Sequence, residues 1–455
     1  MKFKILSRSE TEHSRSRRDD SFVVHRNLDP EIHPFQQERE YVRALRAAKL
    51  ERHFAKPFVG ALEGHTDGVY AMTVNPRNLL CLISGSGDGE VRVWDLPSRE
   101  LMWNSTQAHT GFVRGLATCF NGDSFISCGD DKTVKLWSIQ KYYDAEDGSV
   151  APLETFLSKH SLFGCDTHYT ADEIFTTCGE DVSIWDKTHP EPIHSFVWGG
   201  LDGIAAVKFN PSEHNILASC GKADRSIVLY DYRQKVSLKK IIQPMRNNNL
   251  CWNPMEPFHF TTANEDYCLY TFDMRKLDHS LIVHKDHVAA VLDVAYSPTG
   301  KEFVSASYDR SVRIFSVRPG WESKGRSREV YTAPRMQRCF SCRFSLDASF
   351  VFSGSDDGNV RIWKSQASKP LGVLAPKQEI ALKYNSRLLE KFKRLKEIRQ
   401  IHNKRILPKM IFKETKNQLI MKEAEARKTM RRRKFTNRKE PIVSLRKKAV
   451  LKEIE

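Results

Sequence analysis

"GDGEVRVWD", Gly87–Asp95, decides the fold. A turn-forming Gly-Asp-Gly precedes four residues rich in β-branched and aromatic side chains, so the stretch reads as a tight turn feeding a short buried strand that ends at Trp94. The same design recurs as "GDDKTVKLW" to Trp137, "CGEDVSIWD" to Trp185, "KADRSIVLYD" to Tyr230, "NEDYCLYTFD" to Phe272, "SYDRSVRIF" to Phe315 and "SDDGNVRIW" to Trp363. Successive strand-end aromatics lie 43, 48, 45, 42, 43 and 48 residues apart. Such a period marks a repeat architecture, in which each unit is a small sheet that buries its faces only against its neighbours.

In six of the seven units an Asp stands six residues before the aromatic: Asp88, Asp131, Asp224, Asp266, Asp309 and Asp357. The third unit is one residue short and breaks the rule. His65, His109 and His287 open units one, two and six, and His160 is the candidate for unit three. An Asp in a tight turn can accept from turn amides and from a His, which reaches a Ser such as Ser84 or Ser305 and, through it, the Trp indole. Asp, His and Ser repeated in every unit are scaffold, because a triad is recognised by the geometry of one site. "SPTGKEF", Ser297–Phe303, lacks the flanking residues of a phosphate loop, and no H-E-x-x-H or G-x-S-x-G occurs. The expectation is a binding platform without catalytic residues, cofactor or small-molecule substrate.

This pattern resembles the WD40 family, and seven units imply an all-β, seven-bladed WD40 β-propeller. Strand material flanks the units near Val59 and near Val373; closure of the last blade by the N-terminal strand is favoured because it removes an open sheet edge.

The net charge of +16 is unevenly spread. Residues 376–455 carry 26 Lys and Arg against 9 Asp and Glu, residues 1–57 carry 13 against 9, and the span between is slightly acidic. Three regions follow: an N-terminal arm and helix (1–57), the propeller (58–375) and a basic helical extension (376–455). Basic ends on an acidic platform point to a polyanion such as nucleic acid. Ten scattered Cys suit buried thiols in a reducing compartment. Cys339 and Cys342 in "RCFSCRF" have no second pair to complete a metal site, so no metal is expected. No apolar run reaches the length of a membrane span, and no membrane partner is expected.

The N-terminal segment predicts a helix from about Gln36 to Phe54, with Tyr41, Leu45 and Ala48 on one face. In the extension, Ile380, Tyr384, Leu388, Phe392, Leu395 and Ile398 fall at helical spacing. They predict one amphipathic helix that docks on the propeller or on a partner protein. Pro408 separates it from a second, more polar helix, expected to fray into a disordered basic terminus. Arg431, Arg432, Arg433, Lys434, Arg438, Lys439, Arg446, Lys447 and Lys448 are the candidate RNA contacts; "RRRK" and "RKK" among them also read as nuclear import signals.

"DPEIHPF", "REYVRAL", "KLERHFAKPF", "CWNPMEPFHFTTANEDYCLYTFDMR" and "LPKMIF" together resemble the Sof-like family of nucleolar WD-repeat proteins over nearly the whole chain. That resemblance implies a component of the small-subunit processome in the nucleus and nucleolus. Its implied partners are precursor ribosomal RNA, the U3 small nucleolar RNA particle and processome assembly proteins. "IVLYDYR" and "LYTFDMR", carrying Asp231 with Arg233 and Asp273 with Arg275, resemble the aromatic-Asp-x-Arg motif of substrate receptors that bind the cullin-4 ligase adaptor. That is the alternative function.

Overall fold

The computed structural model describes residues 35–139, 151–196, 203–234, 236–318, 325–405, 407–435 and 448–454. Seven antiparallel sheets form the blades; six are built on four consecutive strands, beginning with Val69–Val74 in blade 1, and blade 7 has three, ending with Val360–Lys364. Innermost strands pack against those of the next blade, and Val69–Val74 meets Cys339–Phe344 to close the ring. The outer strand of blade 7 is Phe58–Leu62, antiparallel to Val360–Lys364 with Leu62 opposite Val360. Closure therefore falls to the N-terminal strand, as the edge argument favours; the stretch around Val373 forms no strand.

Both faces of a blade are covered by neighbours, so the second strands bury nearly every side chain, and the third strands bury the aromatic residues near their ends. Trp94, Trp137, Trp185 and Trp363 are among the largest fully buried groups. The turn before these strands explains the Asp period. The residue following the Asp adopts positive φ in all six units that keep the spacing: Gly89, Lys132, Arg225, Tyr267, Arg310 and Gly358. A left-handed residue bearing a Cβ is costly, and the preceding Asp offsets that cost by accepting the amide two residues on, as in Thr133 to Asp131 (3.1 Å), Cys268 to Asp266 (3.0 Å) and Ser311 to Asp309 (3.0 Å).

The chain divides into two compact units, and the extension is shared between them. One comprises Met1–Ala55 with Pro370–Lys404; the other comprises Lys56–Lys369 with Arg405–Glu455. In the first unit, helices α1 (Gln36–Arg52), α2 (Pro376–Phe392) and α3 (Lys396–Asn403) enclose a small core of Ala44, Ala48, Leu388 and Ile398. The single helix expected over Ile380–Ile398 is broken: Leu395 is extended and starts α3, which turns Ile398 back onto α1. Alanines on α1 admit this close approach, a pairing that helical periodicity within one segment cannot reveal.

The second unit holds the propeller and helix α4 (Lys409–Phe435), together with a terminal strand, Lys452–Ile454. That strand corrects the expectation of a frayed end. It adds a fifth strand to blade 4, with Lys240 opposite Ile454 and Ile242 opposite Lys452, while Ala449 and Val450 pack on the neighbouring core. The open edge of blade 4 supplies unpaired backbone groups that such a segment satisfies.

Candidate protein and nucleic-acid interfaces

The polar residues of the blades are consumed internally. In blade 2, His109 Nδ1 lies 3.0 Å from Asp131, its Nε2 lies 2.7 Å from Ser127 Oγ, and Trp137 Nε1 donates to the same oxygen at 2.9 Å. Blade 6 repeats the chain from Asp309 (3.0 Å) through His287 to Ser305 (2.6 Å), with Phe315 where the indole would stand. Burial works against the charge on Asp309, yet His287, Arg313 and the Ser311 hydroxyl outweigh it and hold the carboxyl well below its usual range. Burial also depresses His287. Blade 1 departs from expectation: His65 contacts Glu90 at 3.3 Å, whereas Asp88 takes the hydroxyl of Thr66. In the short third unit, His160 pairs with Glu180 at 3.1 Å on the surface and Trp185 donates to Thr177 at 2.8 Å.

Units without a His use a cation or a phenol. Asp224 accepts from Lys240 and Ser226, both at 2.7 Å; Asp266 takes the Tyr270 hydroxyl; Asp357 binds Arg361, while Trp363 donates to Ser353 at 2.8 Å. These Asp carboxylates thus anchor their own turns, with Asp309 buried and Asp88 the most exposed of the six. Cys339 and Cys342 are buried thiols that desolvation pushes well above the ordinary range. Among the described residues no group of three His, Cys, Asp or Glu could hold a metal ion. Also among them, no helix is long and apolar enough to cross a membrane.

The two Asp-x-Arg pairs lie where the third strands of blades 4 and 5 end, on the rim opposite the Asp turns that precede those strands. Arg275 is clamped to Asp273 through two bonds of 3.1 and 2.9 Å, with its guanidinium 4.3 Å from the ring centre of Phe258. Arg233 is tied to Asp231 by a single longer contact of 3.4 Å. Both arginine side chains remain more than half exposed, so adjacent blades present two guanidiniums held by their own carboxylates.

The basic extension enters the propeller unit at Arg405. Its guanidinium lies 2.6 Å from Asp286, which also holds the buried Arg313 at 2.9 Å and accepts the amide of Ser327 at 3.2 Å. Burial opposes ionisation of Asp286, but the two arginines bring its carboxyl down to about 2. Beyond it, Ile411 of α4 is buried beside a cleft of about 620 Å3 whose lining includes Tyr308, Arg310, Pro334, Met336 and Leu407. Arg338 stacks over Tyr308 in the same lining at 4.2 Å.

Of the candidate RNA contacts, Arg431, Arg432, Arg433 and Lys434 form the exposed last turn of α4, and Lys448 is exposed just before the terminal strand. Arg438, Lys439, Arg446 and Lys447 lie outside the described residues. The docking stripe is divided: Leu388 is buried and Phe392 meets Tyr41 edge-on at 6.2 Å, whereas Ile380, Tyr384 and Leu395 stay exposed. The docking partner of Leu388 and Phe392 is thus α1 of this same chain, reinforced by Tyr41 to Glu397 (2.6 Å) and Lys391 to Glu40 (2.7 Å). Sequence reasoning missed Arg405, Glu90 and the terminal strand. Only Val450 and Ile454, four apart and so on one face of an extended segment, hinted at the last.

Fold and closure define a WD40 β-propeller protein. Models of the WD domain, G-beta repeat, match residues 56–95, 103–138, 276–316 and 327–364, and the propeller of Doa1 superposes with a TM-score of 0.56 at 19% identity, over 69% of this chain and 98% of that one. The extension narrows the class, because residues 365–450 match the Sof1-like domain. Human DDB1- and CUL4-associated factor 13 is 50% identical over 99% of both chains, and its counterpart in Xenopus tropicalis is 50% identical over the full length of both. Protein SOF1 of Saccharomyces cerevisiae is 42% identical over 99% of this chain and 94% of its own. The chain belongs to the Sof1-like family of WD40 proteins.

Proposed function

We propose that this protein is a non-catalytic scaffold of the small-subunit processome, needed for precursor ribosomal RNA processing and 40S subunit assembly in the nucleolus. The propeller binds assembly proteins, and the basic extension contacts precursor RNA or the U3 particle. The observation that carries this reading is the contrast in charge use: blade Asp and Arg side chains neutralise one another, while α4 ends in a solvent-facing cationic turn on a helix whose other end is anchored. Full-length similarity to Protein SOF1 supports it. Crosslinking followed by RNA sequencing should enrich precursor ribosomal RNA and U3. Enrichment of messenger RNA without either would place the protein in a different particle.

The second reading, a substrate receptor of a cullin-4 ubiquitin ligase, is favoured by the exposed pair Arg233 and Arg275 and by the names of the vertebrate relatives. An Arg233→Ala/Arg275→Ala variant should lose adaptor capture and keep RNA association. Unaltered capture would remove the motif from the account.

A further inference from the structure

Helix α3 is short, but its two faces differ sharply. Ile398 is 2% exposed and Ile401 packs beside it against the core of the helical unit. On the other side Lys396, Arg399, Gln400 and Asn403 follow at i, i+3, i+4 and i+7, which aligns them along one face with about 5–6 Å between neighbours. With Arg394 before the helix and Lys404 after it, they line an open cleft of about 490 Å3. All six side chains are solvent-exposed. Four cations and two amides thus converge without a carboxylate in the lining. Glu397, the acid within α3, is occupied by the Tyr41 hydroxyl at 2.6 Å, and Glu379 and Glu40 are taken by Lys383 and Lys391.

The surrounding unit sharpens the imbalance. Residues 35–55 and 370–404 together contain 14 Lys and Arg and 6 Asp and Glu, so the unit carries a net +8. Like charges at this spacing repel and weaken an isolated helix, so a cluster held open at the surface is suited to a ligand that supplies the opposing charge. The ligand must be an extended polyanion, because one small anion engages only part of a row of Lys396, Arg399 and the flanking Arg394 and Lys404. Arginine's planar donor fork matches phosphate oxygens. Gln400 and Asn403 each offer both donor and acceptor, which a ribose 2′-hydroxyl, itself both, can satisfy and deoxyribose cannot.

We infer that the α3 cleft is a second RNA-backbone site, separate from the cationic end of α4, in which Arg394, Lys396, Arg399 and Lys404 take phosphates and Gln400 and Asn403 engage ribose hydroxyls. It rests on the RNA reading proposed above and places a specific contact within it.

The test uses the full chain, a single-stranded precursor ribosomal RNA fragment and DNA of the same sequence, titrated across salt concentrations. Replacing Arg394, Lys396 and Arg399 with Gln, which keeps helix propensity, should flatten the slope of log K against log salt by about 2, or about 0.7 for each phosphate no longer neutralised. Arg399→Gln alone should remove about 0.7 and serves should the triple variant lose helicity. Arg394→Lys/Arg399→Lys should keep most of the slope. Gln400→Ala/Asn403→Ala should narrow the preference for RNA over DNA. A wild-type chain that binds RNA with a slope untouched by the triple and single variants overturns this site and leaves the tail contact standing. Equal binding of DNA and RNA by wild type overturns the ribose contact, and a wild-type chain that binds no RNA even at low salt overturns the broader reading itself.

Discussion

The cations of the propeller and those of the extension do different work, although both regions are rich in Lys and Arg. Arg313, 1% exposed, sits between Asp286 and Asp309; Arg343 lies 2.9 Å from Asp293, and Lys208 lies 2.8 Å from Asp166. In the extension, Arg394, Lys396, Arg399 and the final turn of α4 face solvent. A buried charge needs its partner, because removing one member strands the other in a poorly solvated site. An exposed charge costs little to keep and is available to bind. The same residue types are thus mortar in one region and an interface in the other.

The sharpest way to break this contrast is to remove a blade carboxylate. Asp309→Ala leaves Arg313, His287 and the Ser311 amide short of a partner, and should cost about 3–5 kcal/mol, visible as a large fall in melting temperature. A melt like that of the wild type would show that the turn is not an anchor.

Acid should attack the propeller next. Burial lowers both His65 and His284 from 6.5 to about 4. Between those values the unfolded chain binds protons that the folded one refuses, so this stability is complete above pH 6.5 and is lost as pH falls toward 4. Each histidine contributes up to about 3 kcal/mol at 1.36 kcal/mol per pH unit. Asp286, depressed from 3.8 to about 2, adds a further loss only below pH 4. Denaturant titrations from pH 7 to pH 4 should show a steady decline, and a flat profile would argue against neutral buried imidazoles.

The helical unit should respond more mildly. Leu388→Ala should cost about 2 kcal/mol, at the low end for a buried leucine because a three-helix core bordered by alanines can close over the gap. Proteolysis near residues 376–404 should accelerate while the propeller resists, and equal loss in both would mean that they unfold together. Smallest of all in stability, Arg433→Ala should move the melt by no more than about 0.5 kcal/mol.

Much of this division was legible in the sequence. The Asp-to-aromatic spacing located six turns, because a left-handed residue supported by an Asp side chain is a local requirement that each repeat must restate. The break at unit three was equally visible, and the structure shows why: its Trp185 relies on Thr177, and His160 turns outward to Glu180. Glu90 in place of Asp88 was not legible, since both acids lie within reach of His65 and only geometry chooses. The pairing of α1 with α2 and α3 was hidden for a different reason. Its contacts join residues more than 330 positions apart, Tyr41 to Glu397 and Lys391 to Glu40, and periodicity within either segment reports only that an apolar face exists. The terminal strand at blade 4 escaped notice because a strand of three residues, Lys452–Ile454, carries little signal beside a long basic run.

Crosslinking the full chain to precursor ribosomal RNA and mapping the modified peptides tests the central contrast most directly. Crosslinks should concentrate between residues 387 and 448, at the α3 cleft and the end of α4, and should leave the peptides of Asp131, Asp309 and Asp357 unmodified. Crosslinks gathered on the blade turns, with the extension clear, would contradict the division of labour between buried and exposed charge.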